Sequence, residues 1–130
     1  MTFDLRLPIG LSTADLLREL RERLGAAPGS VELEVIAAFE PTWTSPDGPL
    51  ARAVRENALT VRGEAAQPVM RLGATDARWF RAAGIPTVVY GPAAYNMGGA
   101  NESITVDDLL TVARVHAGAI VDYFAAGEVG

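Results

Sequence analysis

Residues 2–7, Thr-Phe-Asp-Leu-Arg-Leu, put Phe3, Leu5 and Leu7 on one side of the chain and Asp4 and Arg6 on the other. That two-residue period predicts a half-buried strand, which Pro8 and Gly10 end. The period then lengthens. Leu16, Leu17, Leu20 and Leu24 share one face of a helix, while Arg18, Glu19, Arg21, Glu22 and Arg23 face water. Ser12, with Asp15 three residues on, supplies the N-terminal cap, and Gly25 the stop. Alternation returns in Val-Glu-Leu-Glu-Val-Ile-Ala-Ala-Phe, where Val31, Leu33, Val35, Ala37 and Phe39 oppose Glu32 and Glu34. Residues 2–40 therefore predict a strand–helix–strand unit with one wet face. Two strands and a helix make a thin core, so further strands must come from another segment or a second copy.

Beyond Pro41 the pattern changes. Pro-Thr-Trp-Thr-Ser-Pro-Asp-Gly-Pro is a turn-rich linker, and Asp47 with Pro49 opens a helix carrying Leu50, Ala53, Val54 and Ala58. A short strand is expected over Val69–Leu72. Thr75 and Asp76 start a short helix that places Trp79 in the core and ends at Gly84. Ile85–Tyr90 is apolar on both faces, as in a buried parallel strand. Thr105, with Asp108 at its third position, caps a last helix expected to bury Leu109, Leu110, Ala113, Ala117, Ile120, Val121 and Phe124. The fold class is thus α/β: a strand–helix–strand half of an α+β unit over residues 1–41, then α–β–α–β–α layers over 42–130.

Composition narrows the chemistry. Nearly half of the 130 residues are apolar, enough for one domain with a core. A net charge of −5 argues against nucleic acid, which needs clustered positive charge. All 11 basic side chains are arginine, so a Schiff-base or P-loop lysine is excluded. There is no cysteine, hence no disulfide, thiolate metal site or cysteine nucleophile. No run is long enough to span a membrane and no signal peptide opens the chain, so a cytoplasmic protein is expected.

Ligands of open α/β sheets bind beyond the carboxyl ends of the strands. Two loops lie there: residues 72–78, Leu-Gly-Ala-Thr-Asp-Ala-Arg, and residues 91–103, Gly-Pro-Ala-Ala-Tyr-Asn-Met-Gly-Gly-Ala-Asn-Glu-Ser. If their strands are neighbours, the loops converge. Thr75 then offers a hydroxyl, the 73–77 backbone offers amides, and Arg78 a guanidinium fork for a carboxylate. Against this, Thr75 is equally a helix cap and Arg78 a solvated or stacking side chain. His116, the sole histidine, sits beside an apolar stripe and reads as structural. Asp107 and Asp108 suit a helix N-terminus, whereas Glu102 lies in the loop itself. Asp4, Glu32 and Glu34 alternate onto the solvent face. Trp43, in the linker, is open to an interface role.

At these loops the chain resembles a known family. Gly-Ala-Thr-Asp-Ala-Arg-Trp-Phe-Arg-Ala-Ala-Gly-Ile-Pro-Thr-Val-Val-Tyr-Gly-Pro, then Asn-Glu-Ser and a capped helix, is similar to the C-terminal portion of the zinc aminoacylase, acetylornithine deacetylase and succinyl-diaminopimelate desuccinylase metallopeptidases (peptidase family M-twenty). That family shows Gly-x-Thr/Ser-Asp-x-Arg-Phe, Gly-Ile-Pro, Gly-Pro, then His-x-x-Asn/Asp-Glu. Asp-Leu-Arg-Leu-Pro-Ile-Gly at residues 4–10 resembles a strand of the family's lid, or dimerisation, domain, with Asp4 and Arg6 at its polar positions. Residues 39–54 resemble the return into the catalytic domain.

The resemblance implies dizinc hydrolysis of amide bonds in N-acyl amino acids or small peptides. It implies substrate-contacting roles for Gly73, Ala74 and Thr75, with Arg78 beside them, and it places Gly91 at the head of the pocket loop. Asn101 and Glu102 match the end of the metal-proximal motif. The histidine ligand of that motif, four residues before its glutamate, falls on Gly98. No residue matches the family's early zinc ligands or its general base. The expectation is a truncated member, inactive alone and binding no zinc by itself, with part of a lid over 1–41 and of a catalytic domain over 42–130. Alternatives are a non-catalytic homo-oligomerising or binding module, or a chain whose missing metal ligands come from a partner polypeptide.

Overall fold

The structure, a computed structural model, describes residues 1–26, 31–71 and 73–127. Four helices form among them. Helix α1 (Thr13–Gly25) starts where Ser12 accepts the Asp15 N–H at 3.0 Å and donates to the Asp15 carboxylate at 2.7 Å. Ion pairs Asp15–Arg18 and Glu19–Arg23 run along its wet side. Leu16, Leu17, Leu20 and Leu24 are half-buried, as the amphipathic pattern predicts. The helix runs through Gly25 and is capped at Ala26. The Glu40 carboxylate accepts the Thr13 N–H at 3.2 Å and also the Thr13 hydroxyl, which ties residue 40 to the positive end of α1.

Helix α2 (Pro49–Arg62) has Pro49 in its first turn, where a missing N–H costs nothing, and left-handed Gly63 at its end. Its N-cap is Gly48 rather than Asp47. Helix α3 (Ala77–Ala82) is closed by Gly84 at φ 79°, with Gly84 N–H donating to Arg81 and Ile85 N–H to Phe80. This paired arrangement needs a left-handed residue, which glycine supplies without strain. Helix α4 (Val106–Ala125) starts at Thr105, which accepts the Asp108 N–H at 3.0 Å and donates to its carboxylate at 2.7 Å.

The core is the α2–α4 crossing. Ala53, Val54 and Ala58 meet Val115 and Ala119, with Val88, Tyr90 and Tyr123 packed against them. Small side chains let the helices approach closely. At Gly118 the gap is filled by Asn57, whose Nδ2 donates to Ala53 O and to the Asp122 carboxylate.

Two expectations are corrected here. Helix α4 buries Val115 and Ala119, while Leu109, Leu110, Ala113, Ala117, Ile120, Val121 and Phe124 stay exposed. The helix is apolar on opposite sides, and α2 takes the side whose small residues fit its own alanines. The predicted strands also do not pair: among the described residues the only bridge is Tyr95–Ser103. Phe3, Leu5, Val31, Val35 and Phe39 are exposed, so the strand–helix–strand unit is not formed. Residues 69–71 are unpaired too, and Leu72 lies outside the described residues.

The physical reason is visible at residues 85–90. The Thr44 hydroxyl donates to Thr87 O (2.8 Å) and accepts the Thr87 N–H (2.9 Å), taking both groups a neighbouring strand would use. The Tyr90 carbonyl is likewise taken by His116. A strand without a neighbour leaves its remaining ladder groups to water. The molecule exposes 9846 Å², whereas a compact monomer of its mass exposes about 6,600 Å².

Candidate functional site

The first candidate loop is the turn leading into α3. Gly73, Ala74 and Thr75 are exposed, and the Thr75 carbonyl accepts the Arg78 N–H at 3.2 Å. Thr75 is not the helix cap: Asp76 holds that position, without a side-chain cap bond. The turn therefore leaves the Thr75 hydroxyl and the 73–74 amides facing outward.

Arg78 lies against a pair of aromatic rings. Its guanidinium carbon lies 4.8 Å from the centroid of Phe39 and 4.8 Å from that of Trp79, and the two rings meet edge to face at 5.3 Å. The cation faces two ring quadrupoles that attract it. Its Nε is buried with no hydrogen-bond partner, and among the described residues Arg78 makes no ion pair. Trp79, expected in the core, is instead 52% exposed, with its ring against this guanidinium and edge to face with Phe39.

Four residues here, Thr42, Thr44, Arg81 and Thr87, escaped the sequence reading. Arg81 Nε donates to Thr42 Oγ1 at 3.2 Å and its NH1 to Thr87 O at 3.2 Å. With the Thr44–Thr87 pair, this clips residues 42–44 onto the segment after α3. The signal was present in Thr42-Trp43-Thr44: hydroxyls two residues apart point the same way on an extended chain, which a linker reading overlooks. Trp43, between them, is exposed.

The second loop closes on itself. Tyr95 and Ser103 exchange backbone hydrogen bonds at 2.8 and 3.2 Å, and three of the residues between them, Asn96 (φ 52°), Gly98 (φ 76°) and Asn101 (φ 60°), are left-handed. The Asn96 side chain donates to Ala100 O, and the Glu102 carboxylate accepts the Gly98 N–H at 3.1 Å. Gly91 is exposed at the loop's head, with open space where a Cβ would stand. Among the described residues no hydrogen bond or ion pair joins this loop to the 73–78 turn, and the paired strands from which their convergence is expected are not formed.

The residues present do not fit a zinc ion. Gly98 has no side-chain donor atom, and Glu102 is the one carboxylate of the 91–103 loop. Asn101 is an amide. Among the described residues no three His, Cys, Asp or Glu side chains are grouped to hold a metal. His116 is committed elsewhere: Nε2 donates to Tyr90 O at 3.1 Å and the two rings meet at 5.9 Å. Zinc needs about four such ligands, three at the least from protein. The His116 ring instead borders an open apolar depression of ≈ 230 Å³ with Leu50, Val54, Val88 and Ile120. Nearby, the Tyr90 hydroxyl is buried without a partner of good geometry, and its proximity holds the exposed Arg62 guanidinium above its ordinary pKa. Of the acids, Asp107 and Asp108 occupy the first turn of α4. Asp4 pairs with Arg6 at 2.6 Å on the surface.

Among the described residues no helix is long and apolar enough to cross a membrane. No curated protein and no solved structure matches the chain significantly. A family match does extend over residues 9–122, through both loops and all four helices except the last three residues of α4. The chain belongs to the group described as Peptidase family M20/M25/M40.

Proposed function

We propose that these 130 residues are the substrate-holding portion of a zinc-dependent amidohydrolase that acts on N-acyl amino acids or small peptides. The metals are held by polypeptide outside these residues, and the chain alone does not hydrolyse. The observation that carries the reading is Arg78, a guanidinium oriented by Phe39 and Trp79 with no carboxylate of its own, one helical turn from the exposed Thr75. A planar fork so placed suits the carboxylate of an acyl amino acid, with the Gly73, Ala74 and Thr75 backbone and the Gly91 loop as flanking contacts.

In catalysis of this kind metal ions polarise the amide carbonyl and supply hydroxide. The residues of this chain bind and orient; none is placed to take the proton. The test is titration with N-acetyl amino acids beside Arg78→Met and Arg78→Lys variants. Binding should be lost in both, since neither methionine nor a point charge reproduces the stacked fork. Unchanged binding in Arg78→Met would end the substrate assignment, and stoichiometric zinc with turnover by the chain alone would end the claim of inactivity.

A second reading, a non-catalytic homo-oligomeric module in the same cytoplasmic setting, is favoured by the unpaired apolar segment Val31–Phe39. A second copy that paired with it would bury that face.

A further inference from the structure

The outer face of α2 carries a pocket that the substrate reading does not use. Arg52, Arg55, Glu56 and Leu59 recur there at helical spacing, opposite Val54 and Ala58, which pack toward α4. At the end of the helix Gly63 takes φ 75°, a left-handed turn that glycine makes without strain, and the chain folds back to bring Ala65 beside Leu59. These five residues line an open pocket of ≈ 240 Å³. Leu59 is 50% exposed, so its side chain offers apolar surface to whatever enters. No residue of the 73–78 turn or of the 91–103 loop lines the pocket.

Arg55 is the informative member. Its Nε is buried with no hydrogen-bond partner, and among the described residues its guanidinium makes no ion pair. Among the described residues one other arginine has such an Nε, and that is Arg78. A charged donor kept from water and left unpaired is a cost that an arriving acceptor removes. Arg52 is held by one nitrogen, its Nη1 donating to Asp47 O at 3.1 Å, and it too makes no ion pair among the described residues. The Glu56 carboxylate, also without an ion pair among them, cancels one of the two positive charges. One charge in excess matches a monoanion and disfavours a dianion, and Leu59 with Ala65 gives a floor that an inorganic anion cannot use. The geometry points to a second ligand site, on α2, for an aliphatic monocarboxylate: the head on Arg55 and Arg52, the hydrocarbon on Leu59 and Ala65. A carboxylate at the edge of the Arg55 guanidinium takes the Nε–H and one Nη–H together, the paired arrangement in which such bonds are strongest. The site is independent of the amidohydrolase reading, because Arg78 has no part in it.

The chain is titrated with hexanoate, acetate and inorganic phosphate, and binding is followed by amide NMR. Hexanoate should give saturable shifts at Arg55, Leu59 and Ala65. It should bind at least about tenfold tighter than acetate, since each methylene taken from water is worth about fourfold, and tighter than phosphate. Arg55→Met, which keeps the apolar stem, should weaken hexanoate at least about tenfold with helical circular dichroism retained. Arg55→Lys should weaken it as well, because a point charge has no fork, and Glu56→Gln should strengthen it. In Arg78→Met the shifts at Leu59 and Ala65 should persist; their loss would put the ligand at Arg78 and overturn the inference. Absence of saturable shifts, equal affinity for acetate and hexanoate, tighter binding of phosphate, or indifference to both Arg55 variants would each overturn it too.

Discussion

Gly118→Ala tests whether the α2–α4 crossing is set as described. A Cβ at residue 118 would overlap Asn57 Oδ1 and stand 2.8 Å from its Cγ, well inside contact distance. The obstacle is the end of a side chain, so Asn57 can swing away. In doing so it abandons its bonds to Ala53 O at 3.0 Å and to the Asp122 carboxylate at 2.6 Å. Each is worth about 1 kcal/mol. Against this loss, replacing glycine by alanine inside a helix gains about 1 kcal/mol. The net is a destabilisation of about 1 kcal/mol, a melting-temperature drop of a few degrees for a chain of this size. The sharper readout is a double-mutant cycle with Asn57→Ala, measured by urea unfolding. Once Asn57 is truncated the clash is gone, and Gly118→Ala should then stabilise by about 1 kcal/mol, a coupling of about 2 kcal/mol. Equal effects of Gly118→Ala in the two backgrounds would refute the packing described for this crossing.

Three further outcomes follow from the clip, the loop and α1. Thr44→Val leaves the Thr87 N–H without its partner, while the Thr87 carbonyl keeps Arg81, and should cost about 1–3 kcal/mol; faster amide exchange at Thr87, restored by Thr44→Ser, is the signature. Gly98→His places a side chain at φ 76°, a left-handed conformation that costs about 1–2 kcal/mol outside glycine. It should lower stability and, with Glu102 engaged and no third ligand nearby, should give no stoichiometric zinc by metal analysis; tight zinc binding would contradict the self-closed loop. The Asp15 carboxylate is held below its ordinary pKa, first by the Ser12 hydroxyl and then by Arg18. Its contribution is therefore present above the unfolded value of about 3.9 and is lost as pH falls through the lower folded value. Acid titration followed by NMR should show Asp15 protonating below the ordinary aspartate range, and Ser12→Ala should bring its midpoint back up.

What was legible in the sequence was what is decided locally. Ser12 and Thr105 each bond an acid three residues on, Pro49 fits only a first turn, and Gly84 fits only a left-handed stop. These are choices within one turn of chain, and the helices sit where they were expected. The strands were read from an alternation that is equally real, but alternation states only that a face would be buried if a neighbour came. The 85–90 segment meets a hydroxyl and an imidazole instead, at Thr87 and Tyr90.

The same reasoning explains α4 and the candidate site. A stripe of Leu, Ile and Phe was read as the buried side because larger residues gain more by burial. In a helix with two apolar sides the choice passes to the partner, and α2 presents alanines and Asn57, which only Val115, Gly118 and Ala119 can approach. Arg78 was found by motif, yet its orientation comes from Phe39, distant in sequence and read only as a strand residue. Gly98 is read from the motif as a lost ligand position, and its backbone adds what the motif does not state: at φ 76°, with its amide on the Glu102 carboxylate, it is also part of the turn that closes the loop. The sequence pattern thus located the loop, and the turn geometry that closes it on itself comes from the fold.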